Sequence, residues 1–349
     1  MLITGDHPST ARAVAAQVGV LSPSVDGRVA TGAQIDADEV PDLTAVHVFA
    51  RTTPEQKLAI VQAWQDSGVV VAMTGDGVND GPALRRSDIG VAMGHRGTEV
   101  ARQAADLVLA DDDLGTVVAA VEEGRRVYAN IRLFLLFGLA GGAAEIALML
   151  LGPFVGLMAP LLAAQILWIN LLTHGLTGVA IGAEPMDPRV MQQPPRPPDQ
   201  SILGAGLWQR VLLTSAVLTM TTLGLAVWAH DAGRPWQTML FMGLISAQLG
   251  MALGLRHRQL SIANPLLPAA VTGSLVLALA GVYLPFLQTF LGTVALGVPD
   301  LVAALTPTFA GWGIALLVRR SGVPRPRDLL LYTPGARIES MKGSEGVAP

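Results

Sequence analysis

A glycine-rich turn at residues 69–84, VVVAMTGDGVNDGPAL, carries Asp76, Asn79 and Asp80 directly behind an apolar run. Carboxylate and amide side chains on such a turn are expected ligands for a divalent cation or partners for a bound phosphate. The tripeptide Thr-Gly-Asp occurs at two such places, as Thr4-Gly5-Asp6 and as Thr74-Gly75-Asp76. A threonine hydroxyl and a glycine N–H can both donate to phosphate oxygens, and an aspartate can hold Mg²⁺. One such tripeptide would be ordinary loop punctuation, but the pair predicts a phosphate site.

A cation for that site is available at Lys57, one of two lysines in the chain, which could neutralise charge that develops on a phosphate. The alternative nucleotide motif, Gly-x-x-x-x-Gly-Lys-[Ser/Thr], is missing, which excludes a P-loop enzyme. With no cysteine, the sequence has no thiolate ligands, nucleophiles or disulfides. The six histidines lack metal-ligand spacing. A net charge of −4 without any Lys/Arg-rich run gives no indication of nucleic-acid binding.

The elements that must position these residues alternate between short apolar runs and helical patterns. The strand-like runs are MLIT, VHVFA, VVVAM, IGVAM and LVLA, and the helical patterns are PSTARAVAAQVG, PEQKLAIVQAWQDSG and TEVARQAAD. Such alternation predicts an α/β domain over residues 1–114 with a parallel sheet and active loops at the carboxyl ends of its strands. Thr53-Pro54-Glu55-Gln56 has the spacing of a capping box with proline in the first turn, which predicts the start of a helix.

The chain as a whole is too apolar for an ordinary soluble protein, since 51% of its residues are hydrophobic and 14% are charged. A bilayer-spanning helix needs about 20 mainly apolar residues. Six stretches qualify, and together they predict an all-α transmembrane bundle: 131–151, 160–182, 207–228, 238–255, 266–286 and 298–318.

Arginines are unevenly distributed among the connections between these spans. If residues 1–130 are cytoplasmic, the cytoplasmic loops and the tail at 321–349 hold Arg189, Arg196, Arg256, Arg258, Arg319, Arg320, Arg325 and Arg327, and the opposite loops hold Arg234. This bias predicts a multi-pass protein of the cell membrane whose residues 1–130 and carboxy terminus are cytoplasmic.

Polar side chains interrupt the predicted spans. Glu145 lies in the middle of the first, Gln248 lies in the fourth, and Asn170, Thr173 and His174 follow helical spacing in the second. A carboxylate in the bilayer centre costs about 2.5 kcal/mol or more, so it is a functional candidate by default. Asn170 and Thr173 alone could serve helix–helix packing, but the set favours an ion pathway.

These segments together resemble the carboxy-terminal part of a P-type cation-transporting ATPase. The motifs are MLITGDHPSTARAVA, VFARTTPEQKLAIV, AMTGDGVNDGPALRRSDIGVAMG, LVLADDDLGTVVAAVEEGR and WINLLTHGLTGVAIGAEP, followed by QQPPRPP. Six spans behind the catalytic domain resemble the calcium and sodium/potassium pump branch, whereas the heavy-metal branch has fewer spans there and typically uses cysteine. The resemblance implies a haloacid-dehalogenase-like phosphorylation domain, the cofactors Mg²⁺ and ATP, and a transported cation, Ca²⁺ or another.

The resemblance also implies roles for single residues. Asp76 would bind Mg²⁺ beside Gly75 and Gly77, while Asn79 and Asp80 would order the phosphate loop, with Asp80 next to the metal. Lys57 and Thr4-Gly5-Asp6 would contact the phosphoryl group, and residues 115–130 would form a stalk helix. The transported ion would be bound by Glu145, Asn170, Thr173, His174 and Gln248.

The sequence departs from the calcium pumps at three of the corresponding positions. Those pumps have Asn where this chain has Gly142, Asp where it has His174, and often Glu where it has Gln248. The changes remove hard oxygen ligands that Ca²⁺ prefers, so the identity of the ion stays open. As a neutral ligand or a group titrating near neutral pH, His174 could suit proton coupling.

The family's phosphorylated aspartate, in an Asp-Lys-Thr-Gly-Thr segment, does not occur in this sequence, and neither do the actuator and nucleotide-binding domains. Covalent phosphoryl transfer needs that nucleophile. We therefore expect this polypeptide not to pump alone, and a second polypeptide with the amino-terminal half is a candidate partner. Two other functions remain open: a membrane-tethered phosphatase of the haloacid-dehalogenase type, and a catalytically silent membrane module that binds a partner.

Overall fold

The computed structural model describes residues 1–21, 28–185, 190–193, 195–196, 200–256 and 263–320. Several residues used in the sequence predictions lie outside these ranges: Arg189, His257, Arg258, Arg325, Arg327 and the tail at 321–349. The chain divides into two compact units, which we call the α/β unit and the helical unit. The α/β unit comprises Met1–Val121 and Pro195–Gln200, and the helical unit comprises Glu122–Pro194 and Ser201–Pro349.

Short strands and helices alternate in the α/β unit, as the sequence predicts. The strands are β1 (Leu2–Ile3), β2 (Arg28–Thr31), β3 (Val46–Ala50), β4 (Ala72–Gly75), β5 (Ile89–Met93) and β6 (Leu107–Leu109). The helices are α1 (Pro8–Gln17), α2 (Gly32–Asp36), α3 (Pro54–Asp66), α4 (Gly81–Arg86) and α5 (Glu99–Ala104).

All strand pairs are parallel, which confirms the predicted sheet type. The strands form two three-stranded sheets, in the orders β1-β3-β2 and β4-β5-β6, where the sequence pattern predicts one sheet. In the first sheet Leu2 pairs with Val48, and in the second Thr74 pairs with Val91. Both Thr-Gly-Asp tripeptides therefore begin at or near the carboxyl end of a parallel strand.

Helix α3 packs against the apolar cores of both sheets. Its Ile60 belongs to the cluster around Phe49, and its neighbour Val61 belongs to the cluster around Met73. Ile3 of β1 is partly buried against the same two clusters. The first turn of α3 is thereby fixed near the strand ends that carry the candidate residues.

The predicted capping box at Thr53 is confirmed. Thr53 accepts a hydrogen bond from the Gln56 N–H at 3.3 Å, and the Gln56 Oε1 accepts one from the Thr53 N–H at 2.9 Å. The Gln56 side chain is buried and also donates to the Gly32 carbonyl at 3.0 Å. One residue thus begins α3 and connects it to α2.

The strand predicted at VVVAM begins later than expected. Val69 and Val70 are exposed, and β4 starts at Ala72, because the Val71 N–H is bound by the Asp88 carboxylate at 2.8 Å instead of by a neighbouring strand. Three short elements, β2, α2 and α4, were not predicted, since each is too short to show a hydrophobic period.

Within the described residues, six stretches are long and apolar enough to cross a membrane, which confirms the predicted helical bundle, and some of these spans consist of more than one helix. The helices are α6 (Gly115–Leu151), α7 (Ala163–Asn170), α8 (Gly178–Gly182), α9 (Leu207–Asp231), α10 (Trp236–Gly254), α11 (Leu266–Tyr283), α12 (Pro285–Leu291), α13 (Val298–Leu305) and α14 (Pro307–Arg320). The predicted stalk and first span form the single 37-residue helix α6, about 55 Å long at 1.5 Å per residue.

Two of the six spans have irregular backbones. In the second span a π-helix, Leu171–Thr177, joins α7 to α8. The sixth span is interrupted at Thr306, directly before Pro307. Proline removes a backbone donor, which accounts for the second interruption.

Helix α10 is the most enclosed of the six spans, since 89% of its most apolar 18-residue stretch is buried. Glycines allow α14 to approach it closely: a Cβ on Gly250 would lie 2.1 Å from the Thr308 carbonyl oxygen, and one on Gly311 would lie 1.9 Å from that of Ala247. Gln248 therefore lies on the central helix.

Candidate functional site

The loop after β4 is organised around the buried carboxylate of Asp80. Its Oδ2 accepts hydrogen bonds from the backbone N–H of Gly77 at 3.1 Å and of Asp76 at 3.3 Å. A Cβ on Gly75 would lie 2.5 Å from the Asp80 Cβ, so this position admits only glycine without displacing Asp80. The second Thr-Gly-Asp tripeptide and the Asn-Asp pair are thus parts of one compact turn.

Lys57 reaches this turn from the first turn of α3. Its Nζ lies 2.5 Å from the Asp80 Oδ1, and both side chains are about nine-tenths buried, with exposures of 13% and 11%. Removing one partner of such a pair leaves an uncompensated charge in a poorly hydrated place. The ion pair therefore holds the ammonium group at the loop.

The first Thr-Gly-Asp tripeptide is tied to the loop that leads into α3. The Thr4 N–H donates to the Phe49 carbonyl at 2.9 Å, and the Thr4 carbonyl accepts from the Thr52 hydroxyl at 3.2 Å. Gly5 and Asp6 are exposed. Residues 52–57 contact Thr4 at one end and Asp80 at the other, so the start of α3 connects the two tripeptides.

Three exposed side chains at these strand ends carry amide or carboxylate oxygens: Asp6, Asp76 and Asn79. Their oxygen atoms are hard ligands of the kind that Mg²⁺ takes, usually together with phosphate oxygens and water. The donor chemistry of the loop fits a magnesium ion at Asp76, whose carboxylate is exposed where the backbone is fixed by Asp80. Asp80 itself has both oxygens bound to protein groups.

A second polar cluster lies inside the helical unit. Glu145 of α6 is 5% exposed, and its two carboxylate oxygens each accept an amide N–H at 3.3 Å, one from Asn170 and one from Gln248. The structure thus brings three predicted residues from three spans together. Amide donors offset part of the cost of burying the carboxylate.

Two buried polar atoms near Gly141 and Gln248 have no hydrogen-bond partner among the described residues: the Nε2 of His174 and the Oε1 of Gln248. A Cβ on Gly141 would lie 3.1 Å from the His174 Nε2 and 3.1 Å from the Gln248 Nε2. The missing side chain of Gly141 therefore leaves space onto which both residues converge. We call Glu145, Asn170, His174, Gln248 and Gly141 the membrane cluster.

One predicted ligand does not present its side chain to this cluster. Thr173 is fully buried, and its hydroxyl donates at 2.9 Å to the Ile169 carbonyl of its own helix. The ring of His174 is positioned by Phe137, whose ring meets it edge-on at a centroid distance of 6.0 Å. Within the described residues, no three histidine or acidic side chains gather closely enough to hold a metal, so the cluster depends on amide and imidazole groups.

Sequence reasoning missed Gly141 and a further buried carboxylate, Glu184. Gly141 lies four residues before Glu145, so helical spacing could have placed it on the same face. Glu184 is 3% exposed, accepts from the Asn264 amide at 2.8 Å and lies 3.8 Å from the Arg256 guanidinium. A proline-rich neighbourhood carries no signal that predicts this burial.

Comparison with protein families gives two matches that divide the chain. Residues 1–88 match the family of haloacid dehalogenase-like hydrolases, and residues 158–320 match the carboxy terminus of cation transporting ATPases. The first match covers β1 through α4, and the second covers five of the six spans.

Three curated proteins illustrate the similarity to whole chains. A probable cation-transporting ATPase F of Mycobacterium tuberculosis is 48% identical over 66% of this chain and 26% of its own length. A calcium-transporting ATPase 1 of Saccharomyces cerevisiae is 40% identical over 87% of this chain and 34% of its own length. A calcium-transporting ATPase of Bacillus subtilis is 39% identical over 92% of this chain and 38% of its own length. The chain therefore spans between about a quarter and two-fifths of the length of these relatives.

Proposed function

We propose that this chain, which belongs to the family of P-type cation-transporting ATPases, supplies the phosphate loop and the membrane cation site of an ATP-driven cation pump. The observation that carries the proposal is the membrane cluster, in which a buried carboxylate accepts amide N–H groups from two other spans, while the His174 Nε2 and the Gln248 Oε1 have no hydrogen-bond partner among the described residues. Polar groups arranged in this way between apolar helices are typical of an ion pathway and not of an anchor.

In the α/β unit we assign phosphoryl contacts to Lys57 and to the Thr4-Gly5-Asp6 turn. Lys57 would offset negative charge on the phosphoryl oxygens, since its ammonium is already held at the loop by Asp80. The Thr4 hydroxyl and the backbone of Gly5 would donate to the same oxygens.

The magnesium ligand in this proposal is Asp76, and Gly75 and Gly77 allow the close backbone turn around it. Asp80 and Asn79 would order the loop, Asp80 through its bonds to the N–H groups of Asp76 and Gly77. A bound Mg²⁺ supplies positive charge that stabilises the phosphate during transfer.

In the helical unit the transported ion would be bound by Glu145, Asn170, His174 and Gln248, whereas Thr173, whose hydroxyl is bound to its own helix, would not be a ligand. The names of two relatives specify calcium. One carboxylate with amide oxygens and one imidazole nitrogen is a mixed ligand set, which suits a divalent cation softer than Ca²⁺ as well as Ca²⁺ itself. We therefore propose a divalent cation as the cargo.

The chain is a multi-pass membrane protein, and we propose that its α/β unit and carboxy terminus face the cytoplasm. The support is the arginine bias of the connecting loops. Because the chain has no native cysteine, single cysteines introduced at Val18 and at Phe154 can be labelled from one side of sealed vesicles. We expect the two positions to react from opposite sides.

Equilibrium binding of radioactive Ca²⁺ and of Mn²⁺ to the full chain in lipid nanodiscs tests the cation site. Glu145→Gln keeps the shape of the side chain and removes its charge, so we expect the affinity for both ions to fall at least about tenfold, equivalent to 1.4 kcal/mol. Glu184→Gln is the matched control, because Glu184 is equally buried in the same unit but lies in a different hydrogen-bond network.

The proposed cation site is wrong if the wild-type chain binds neither ion saturably, or if both variants lower the affinity equally. Thermal unfolding of both variants shows whether a loss of binding reflects a loss of fold. Binding lost in Glu145→Gln alone, with unchanged unfolding, supports the assignment.

A further inference from the structure

The widened turn of the second span is bound by hydroxyl groups from two elements. The Leu172 carbonyl, within the π-helix Leu171–Thr177, accepts a hydrogen bond from the Ser274 hydroxyl of α11 at 2.9 Å and one from the Thr177 hydroxyl at 3.2 Å. The two hydroxyl oxygens lie 3.4 Å apart, and both side chains are fully buried. Two spans are thus joined at one backbone carbonyl.

A π-helix closes i→i+5 hydrogen bonds and is rare, occurring mostly as single turns at functional sites. In an apolar environment a carbonyl without a good helical partner costs several kcal/mol unless another donor reaches it. Ser274 and Thr177 both donate a hydroxyl hydrogen bond to the carbonyl of the second residue of the π-helix, where the backbone departs from α-helical geometry. Their contacts therefore stabilise the π-helix relative to a regular α-helix.

The same turn carries the membrane cluster. Asn170, which donates to Glu145, directly precedes the π-helix, and His174 lies within it. Converting the turn to a regular α-helix would change the angle between these two side chains about the helix axis. The width of the turn therefore sets the direction of the His174 side chain relative to that of Asn170.

The spacing of the exposed residues in the second span shows the same departure from a regular α-helix. Its most exposed large residues are Leu167, Leu171, Leu176 and Val179, at spacings of four, five and three residues. A regular helix would not place a five-residue step between successive positions of one stripe.

We propose that Ser274 is a positioning residue of the cation site, which acts through the Leu172 carbonyl and, with Thr177, holds the π-helix that orients His174 towards Glu145 and Gln248. This inference rests on the proposed function of the membrane cluster. It assigns the fifth span a role in cation binding through a backbone carbonyl of the second span.

A structural experiment tests the hydroxyl contacts independently of cation binding. A nitroxide is attached to a single introduced cysteine at Val179, which is 75% exposed, and the access of lipid-dissolved oxygen is measured in the full chain in nanodiscs. If the π-helix became a regular α-helix, the residues that follow it in the second span would rotate by about 100° about the helix axis. Position 179 would then take the angular place now held by Ala180, which is buried.

We expect oxygen access at position 179 to fall at least twofold in Ser274→Ala and further in Ser274→Ala combined with Thr177→Val. A label at Leu167, which is 69% exposed and precedes the π-helix, is the control and should not change. Unchanged access at position 179 in the double variant would overturn the proposal, as would an equal loss at both positions.

The functional arm measures the dissociation constant of Ca²⁺ in the same nanodiscs. Ser274→Ala should raise it about tenfold, and Ser274→Thr, which keeps the hydroxyl, should recover most of the affinity. Ser215→Ala is the matched control, because Ser215 is a buried serine whose hydroxyl donates within its own helix, to Leu212.

The two arms separate failure of this inference from failure of the proposed function. Ca²⁺ binding that depends on Glu145 but not on Ser274 overturns the inference and leaves the cation site in place. If Ca²⁺ does not bind to the wild type, the cation site is wrong and the positioning role falls with it, while the oxygen measurement still decides whether the hydroxyls hold the turn.

Discussion

Gly141 and Gly142 are adjacent in the same span, and the structure assigns them opposite sensitivities. A Cβ on Gly141 would lie 3.1 Å from nitrogen atoms of both His174 and Gln248, whereas a Cβ on Gly142 would meet no atom within 4 Å. We predict that Gly141→Ala weakens cation binding and that Gly142→Ala does not.

The expected loss of cation affinity in Gly141→Ala follows from two free-energy terms. Each substitution replaces glycine within a helix by alanine, which stabilises that helix by about 1 kcal/mol, so this term is common to both variants. In Gly141→Ala the new methyl group also requires the His174 and Gln248 side chains to shift by a few tenths of an ångström, which disturbs two proposed ligands of the cation. A contact to a charged group is worth about 1.5 to 3 kcal/mol, so losing one contact to the cation would raise the dissociation constant roughly 10-fold to 150-fold.

Equilibrium binding of radioactive Ca²⁺ to the full chain in nanodiscs measures this difference, and thermal unfolding of both variants checks the common helix term. Equal affinities for the two alanine variants would refute the reasoning, because the membrane cluster would then not use the space beside Gly141. A loss of affinity in Gly142→Ala alone would refute it as well.

Three other predictions concern single contacts. Asp80→Ala should destabilise the loop after β4 by about 2 to 4 kcal/mol, since it breaks an ion pair and two backbone contacts. Hydrogen exchange at the Gly77 amide should then become faster. Asp76→Ala removes only an exposed carboxylate and should leave the exchange rate of that amide almost unchanged. His174→Asp adds a hard oxygen ligand, so it should raise the preference for Ca²⁺ over Mn²⁺ at least about tenfold and alter the pH dependence of cation binding. If the ion preference and the pH dependence stayed as in the wild type, His174 would not be a ligand. The Thr116 hydroxyl lowers the pKa of Asp111 below its ordinary value of 3.8. The contact therefore stabilises the fold above that pH, and this stabilisation is lost as the pH falls through the lowered pKa. Carboxyl NMR titration should show a higher pKa of Asp111 in Thr116→Val, and an unchanged pKa would exclude the contact.

The sequence predicted the parallel α/β unit and the six apolar helices because both depend on patterns that repeat along the chain. The helix start at Thr53 was equally predictable, since a capping box is a local set of contacts among four residues. The strand at Ala72 was predicted too early because an apolar run does not show where pairing begins; that is decided by Asp88, which binds the Val71 amide.

For the loop after β4, residue types were sufficient to select Asp76, Asn79, Asp80 and Lys57 as candidates. Their different environments were not predictable from the motif. Asp80 is buried against Lys57 while Asp76 is exposed, a distinction that depends on how α3 packs against the two sheets. Only that packing shows which carboxylate binds protein groups and which is open to a ligand.

In the membrane-spanning part, the sequence alone selected Glu145, His174 and Gln248, because polar side chains in long apolar helices are costly and therefore conspicuous. It could not separate His174 from Thr173, whose hydroxyl is bound to its own helix, since one widened turn sets the angle between them. Nor could it show that Gly141 leaves space between two other spans. Local composition thus determined which residues were candidates, while the packing of α6, the π-helix and α10 decided which of them meet, because such contacts join residues about 25 to 100 positions apart.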